Sequence, residues 1–295
     1  VTVVVPTVDR VELLERCLAA LEQQTRAPDE VLVVHDGNPG VAALLSRWSH
    51  RLPLVCLVID QRGVSAKRNA GWRAARHELI AFTDDDCAPS PGWLAAFGAA
   101  EGDVLAGPVA PHPDDAAVSS VFGRTIVIDR EGPYFPGANV AYTRKALELT
   151  GGFDEQLAAG EDTDLAWRLK DQGGRATWVP AAEVLHAVRP VSFPDHLRSL
   201  WRWRCLPLVV RRHPELREVL HGRVFWKASH PVAALALLGL VLSTRRPSAL
   251  VLASPLLVQR WRERGPRFGT QVAVADVTEV AVVALGSLRH RSVLL

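Results

Sequence analysis

A chain of 295 residues, 48% of them apolar, is long enough for a substantial core and is not compositionally disordered. Its four cysteines, Cys17, Cys56, Cys87 and Cys205, form no Cys-x-x-Cys pair, which argues against a zinc site or disulfide framework and fits a reducing compartment. The net charge of +2 conceals an asymmetry: residues 1–195 carry 18 Lys+Arg against 27 Asp+Glu, and residues 196–295 carry 16 against 5. The basic last third points to an anionic partner such as a membrane surface or a polyphosphate.

The chain opens on Val1-Thr2-Val3-Val4-Val5 without a basic n-region or cleavage site, so no signal peptide is expected. With no methionine anywhere, Val1 reads as an unconventional or trimmed start. Val1–Pro6 is a buried strand, and Arg10–Gln24 places leucines at 13, 14, 18 and 21, the spacing of a helix with one apolar face. Strands follow at Glu30–His35, closed by Asp36-Gly37, and at Leu54–Ile59. A helix over Ser65–Arg76 leads to the strand Glu78–Phe82, and Cys87–Gly92 reads as a turn. Strands alternating with helices predict an α/β fold with right-handed crossovers and a mainly parallel sheet. In such sheets ligands sit outside the carboxyl ends of the strands. Pro6-Thr7, Asp36-Gly37 and Asp84–Asp86 all lie at such ends, so three polar turns converge on one edge.

Val104–Val109 reads as a further strand, whereas Ser119–Asp129 has no clear periodicity. Gly137–Tyr142 is a short strand leading to a helix from Arg144, which Gly151-Gly152 ends. Glu161 begins another helix, closed by Gly173-Gly174; Ala176–Val179 and Ala182–Leu185 are short strands, with His186 at the end of the second. Residues 1–197 thus form one α/β domain and residues 198–295 a basic, apolar helical region. There Ala228–Thr244 has no formal charge before Arg245-Arg246-Pro247, and 247–259 is a second uncharged run before Arg260, Arg262 and Arg264. Each run is shorter than the roughly 20 residues a bilayer span needs. Two readings stand: a hairpin dipping into one leaflet with arginines at the headgroups, or a buried hairpin at an interface. Gln271–Leu288 is an amphipathic helix that either lies in the membrane plane or packs back on the protein. Trp201-Arg202-Trp203-Arg204 suits a membrane interface belt.

Chemistry concentrates at Asp84-Asp85-Asp86. Three carboxylates a few Å apart repel one another by roughly a kcal/mol or more per pair at an effective dielectric near 20. A divalent metal carrying phosphate oxygens offsets such a cluster, because hard cations take carboxylate oxygens; a solvated acidic turn is the competing explanation.

The ordered set Val-Val-Pro-Thr, Asp36-Gly37, Gly63–Gly71 (GVSAKRNAG), Phe82–Asp86 (FTDDD), Gly137–Tyr142 (GANVAY), Gly151–Glu155 (GGFDE), Gly160–Leu165 (GEDTDL) and Val184–His186 (VLH) resembles the family 2 glycosyltransferases of the GT-A fold over residues 1 to about 190. The resemblance implies an inverting transfer of a sugar from a nucleotide-diphosphate-sugar to an acceptor hydroxyl, with Mg2+ or Mn2+ as cofactor. It assigns Asp86, Asp84 and His186 to the metal, with Asp84 nearer the nucleotide, Asp85 turned away, and Asp162 as general base beside Glu161. Pro6, Thr7, Asp9, Arg10, Asp36, Asp85, Lys67, Arg68 and Asn69 fall where the family meets the donor, and Asn139 is expected to face the donor sugar or the acceptor. His35-Asp36-Gly37-Asn38 departs from the family's common Asp-Asp-Gly-Ser, which leaves the choice of nucleotide base open. Each assignment has a plainer counterpart: Asp162 as a helix cap, Asp36-Gly37 as an ordinary turn, Lys67 as a solvated helix face, His186 as a core histidine.

The implied acceptor is a saccharide or lipid-linked hydroxyl in cell-envelope synthesis, at the cytoplasmic face of a membrane. A sugar nucleotidyltransferase would want a Gly-rich loop after the first strand, and Pro6–Arg10 has no glycine. A non-catalytic scaffold on the same fold would tend to lose Asp84, Asp86, Asp162 or His186, and all four are present. Nucleic acid is not an expected partner, because the C-terminal arginines are interleaved with aliphatic runs that a groove does not use.

Overall fold

The computed structural model describes residues 1–61, 63–116, 121–123 and 125–295. The segment Ser119–Asp129 includes residues outside that set. The chain divides into two compact units, Val1–Ser119 with Gly123–Leu157 and Glu161–Arg189, and Ser120–Phe122 with Ala158–Gly160 and Pro190–Leu295.

In the first unit, strands β1 (Thr2–Pro6), β2 (Glu30–His35), β3 (Leu54–Val58) and β4 (Leu79–Phe82) form the parallel half of a seven-stranded sheet. The short strands β5 (Cys87–Pro89), β6 (Val104–Ala106), β7 (Val109–Pro111), β8 (Val140–Thr143), β9 (Ala176–Trp178) and β10 (Val184–His186) follow. The order across the large sheet is β3-β2-β1-β4-β8-β6-β9, with only β8 antiparallel to its neighbours. Its β-branched runs are explained by burial on both faces. Val3, Val5, Val31, Val33 and Ala81 face one core, and Val4, Leu32, Val34, Ile80 and Phe82 face the other, the period of two that a pleated strand imposes.

Helices α1 (Val11–Glu22), α2 (Pro39–Trp48) and α4 (Trp93–Ala99) cover the first face through Leu14, Leu18, Leu21, Leu44 and Phe97. Helices α3 (Val64–Ala74), α5 (Arg144–Thr150) and α6 (Glu161–Asp171) cover the second through Trp72, Leu147, Leu165 and Leu169. Each such side chain contributes about 1.5–3 kcal/mol on burial. The α2 helix has an Asn38 cap accepting from Gly40 and Val41 and a proline in its first turn.

Two expectations need correction. Val104–Val109 is two strands in different sheets, β6 and β7, because the chain must turn at Gly107-Pro108; a Cβ on Gly107 would collide with the Ala182 carbonyl. Cys87–Gly92 is a turn only in its second half. Its first half, β5, pairs antiparallel with β10 in a three-stranded sheet ordered β5-β10-β7. This small sheet receives the chain directly after Asp84–Asp86 and sets Cys87 opposite His186.

The second unit is helical: α7 (Phe193–Leu200), a 3-10 turn over Trp201–Cys205, α8 (Leu206–Arg212), α9 (His230–Ser243), a 3-10 segment over Pro247–Ala253, and α10 (Ser254–His290). The second apolar run is therefore a 3-10 segment followed by the start of α10 rather than one helix. Gly265, at φ 75°, and Pro266 break α10. Ala233, Ala236, Leu256, Ala273 and Val280 form the core of this region. Asp276 and Glu279 are buried there, Asp276 paired with Arg260 at 2.8 Å and Glu279 with Lys227 at 2.5 Å. That side of the amphipathic helix thus packs back within its own unit. Leu238, Val241, Leu242, Leu250 and Val251, flanking Arg245-Arg246, remain exposed. By length and composition, 247–290 is long and apolar enough to cross a membrane.

Candidate active site

The carboxyl ends of β1, β2 and β4 lie side by side, since β1 pairs in parallel with both of the others. Pro6-Thr7, Asp36 and Asp84–Asp86 issue from these ends. The three acidic side chains then take three different directions.

Asp85 points into the protein and is fully buried. Its carboxylate accepts from the Thr7 hydroxyl at 2.6 Å and from Arg10 Nε at 3.2 Å. Burial pushes its carboxyl up to about 6, against the opposing pull of Arg10 and the Thr7 hydrogen bond.

Asp84 accepts from Arg68 Nη2 at 2.8 Å, while Arg68 Nη1 donates to Glu161 at 2.9 Å. Burial alone would raise the Asp84 carboxyl, but the charge and hydrogen bond of Arg68 hold it below the usual range. Arg68 itself stays firmly protonated despite its burial, because Asp84, Glu161 and Asp162 surround it. The guanidinium lies over Gly137, where any Cβ would collide with it. That contact gives the glycine of the Gly137-Ala138-Asn139 segment its purpose. Glu161, buried and beside Asp162, is pushed up to about 7 by burial and by Asp162, with Arg68 opposing. Asp162 is more open. Its Oδ2 accepts from the Gly137 amide at 3.0 Å and its Oδ1 from the Thr163 amide at 2.7 Å.

Asp86 turns toward β10. An ion pair joins it to Arg10, Arg189 Nε lies 3.4 Å from its Oδ2, and His186 Nε2 lies 3.6 Å from its Oδ1. His186 Nδ1 is 2.8 Å from the Ala187 carbonyl, which can only accept, so Nδ1 carries a proton and the lone pair of the neutral ring is on Nε2, toward the site. Ligand atoms of Asp86, Cys87 and His186 all fall within 4.8 Å of one another. The carboxylate oxygen suits Mg2+ or Mn2+, and the imidazole nitrogen suits a transition metal better than Mg2+, so these residues fit a divalent cation; the buried Cys87 thiol is the softer third group. Asp84 stands outside this cluster, with Arg68.

The remaining candidates divide. Lys67 is buried and ties strand ends together, donating to the Thr7 carbonyl at 2.6 Å and lying 3.6 Å from Asp36. Asp9 and Asp36 are exposed at the same edge, and Pro6 is buried beneath it. Asn69 and Asn139 face inward. Asn69 binds Phe153 through both its amide and its carbonyl, along with Glu155 and Trp72, and so pins the Gly151–Glu155 turn. Asn139 accepts from Trp93 Nε1 and donates to the Pro108 and Ala182 carbonyls, each at 2.7 Å. Its expected contact with a donor or acceptor is replaced by a structural one, since its amide is fully used in the interior. Arg189 and Cys87 join the site without having been singled out from sequence. A lone arginine beyond a strand end carries no signal, and Cys87 joins only because β5 pairs with β10.

A seven-stranded α/β sheet with an acidic turn at the carboxyl ends of its strands, joined by a small sheet that carries a histidine, defines the GT-A class of fold. Comparison with known proteins agrees. The family model described as "Glycosyl transferase family 2" matches residues 2–100, and "Glycosyl transferase family group 2" matches residues 114–261. The chain belongs to glycosyl transferase family 2. It is 31% identical over 245 residues to a pre-mycofactocin glycosyltransferase of Mycobacterium tuberculosis, covering 73% of this chain and 48% of that protein. It is 27% identical over 274 residues to validoxylamine A glucosyltransferase of Streptomyces hygroscopicus subsp. limoneus, covering 78% and 59%. The chain thus spans about half the length of the first of these relatives. Among solved structures, a mannosyltransferase from Pyrobaculum calidifontis in complex with GDP-Man and Mn2+ superposes with a TM-score of 0.60 at 22% identity, over 98% of this chain and 86% of that one. S. aureus TarS in complex with UDP-GlcNAc gives 0.53 at 16% identity, over 99% and 92%. At these identities the structural matches establish the fold.

Proposed function

We propose that this chain transfers a sugar from a nucleotide-diphosphate-sugar to an acceptor hydroxyl, with inversion, assisted by Mg2+ or Mn2+. The observation that carries this reading is the clustering of Asp84–Asp86 with Arg68, Glu161 and His186 at the carboxyl edge of the sheet. Glycosyl transfer by the named relatives supports it.

In this reading Asp86 and His186 would hold the cation, which would supply Lewis-acid neutralisation of the charge on the diphosphate. Asp84, fixed by Arg68, borders the nucleotide together with Asp36, Asp9 and the Thr7 edge. Asp162 accepts the acceptor's proton as its oxygen forms the new bond to the anomeric carbon and the bond from that carbon to the diphosphate oxygen breaks. Glu161 and Arg68 set the position and charge of Asp162, while the Gly137 amide orients its carboxylate. Residues 1–197 carry this chemistry.

Residues 198–295 hold the enzyme at the cytoplasmic face of a membrane, where a lipid-linked or envelope saccharide acceptor is presented. The exposed Leu238, Val241, Leu250 and Val251 beside Arg245 and Arg246 support that reading, because such a surface pairs an acyl region with anionic headgroups. A screen of nucleotide sugars for donor hydrolysis, with and without Mn2+, tests the activity. Hydrolysis of one donor that requires the cation is expected, and no turnover of any nucleotide sugar would overturn it.

A further inference from the structure

Two guanidinium groups press on Asp86. Arg10, at the start of α1, forms ion pairs with both Asp85 and Asp86. Arg189, soon after His186, brings its Nε to 3.4 Å from Asp86, and that buried Nε makes no hydrogen bond. Arg68 is different. It is 4% exposed and locked between Asp84 and Glu161, whereas Arg10 and Arg189 are 30% and 33% exposed and have room to turn.

These charges oppose a lone cation. Like charges this close repel strongly where the surroundings screen them less than water does, so a divalent ion on Asp86 meets repulsion from both arginines. A nucleoside diphosphate removes the conflict, because its phosphate oxygens give each guanidinium a bidentate partner. Resting on the glycosyltransferase reading, we propose that Arg10 and Arg189 are exchangeable counter-ions. They neutralise Asp85 and Asp86 without a cation, and pass to the donor diphosphate when a cation takes Asp86. Cation and nucleotide are therefore bound cooperatively, and Arg189 is a further diphosphate-binding residue.

The test is Mn2+ binding to the full chain, read from the resonance of free Mn2+, with and without saturating UDP, GDP, ADP, CDP or dTDP. For the nucleotide that binds, Mn2+ affinity is expected to rise by roughly 5- to 150-fold, the usual span of a coupling between two sites. Arg189→Gln is expected to bind Mn2+ alone more tightly than the parent and to lose much of that coupling, with Arg189→Lys recovering part of it. Arg10→Gln should act in the same direction where a melting curve shows that it folds; Arg189→Gln, which leaves the Asp85 contacts intact, carries the test alone. Equal Mn2+ affinity with and without a bound nucleotide would overturn the exchange while leaving the enzyme reading standing. So would unchanged or weaker binding of Mn2+ alone by Arg189→Gln. If no nucleoside diphosphate binds at any Mn2+ concentration, the glycosyltransferase reading itself falls, and the exchange with it.

Discussion

Asp86 and His186 meet at 3.6 Å because the strand that follows the acidic run pairs antiparallel with the strand that carries the histidine, Cys87 opposite His186. Two residues far apart in sequence are thus brought together by backbone pairing rather than by a flexible loop. A site built on paired strands is geometrically stiff.

Removing either residue should therefore remove the cation's contribution to donor binding. Asp86→Ala and His186→Ala are each expected to make nucleoside diphosphate affinity independent of Mn2+, measured by calorimetry across a Mn2+ series. Retained Mn2+ dependence in both variants would move the cation elsewhere.

The Glu161 carboxyl, at about 7 in the folded chain against an ordinary 4.5, makes a prediction about pH. Between those values the folded chain keeps a proton that the unfolded chain releases, so stability falls as pH rises through that window. Asp85, raised from 3.8 to about 6, acts with the same sign, so the difference between variant and parent is the clean reading. Glu161→Gln keeps the neutral form at every pH. Its melting temperature relative to the parent should climb between pH 4.5 and 7 and level off above. A flat difference would mean that Glu161 is ionised throughout.

Asn139 offers a contrast between stability and binding. With Asn139→Ala, Trp93 Nε1 and the Pro108 and Ala182 carbonyls lose their partner in the interior. The loss is expected to cost about 2 kcal/mol or more, seen as a lower denaturant midpoint, with nucleotide affinity of the folded protein little changed. A stable variant with weakened donor binding would return Asn139 to the site.

How far the sequence carries can be judged from these residues. The strand ends at Pro6, Asp36 and Asp84 were legible because hydrophobic periodicity locates strands, and parallel topology places their carboxyl ends together. The inward turn of Asn69 and Asn139 was not, because a buried amide and a ligand-binding amide look alike until their partners are known. The pairing of β5 with β10 was hidden as well. Three-residue strands carry too little pattern to separate from turns, and Cys-Ala-Pro-Ser-Pro-Gly reads as turn chemistry throughout. Arg189 became visible only once that pairing was in place.

The apolar surface of the C-terminal region leads to a binding prediction. The 295-residue chain should float with liposomes containing anionic lipid, and less so as salt rises. Replacing Arg245 and Arg246 by Glu together with Val251→Asp, all at exposed positions, should release it without lowering the melting temperature. A 295-residue chain that stays free of such liposomes would contradict the membrane reading.

Asp162 tests the central claim most directly. Donor turnover and donor affinity are to be measured side by side for the parent and Asp162→Asn, using the nucleotide sugar the parent hydrolyses. Loss of a general base predicts a fall in turnover of roughly 10^2- to 10^4-fold with nucleotide affinity nearly unchanged. Turnover equal to that of the parent would remove Asp162 as the base and contradict this account of the chemistry.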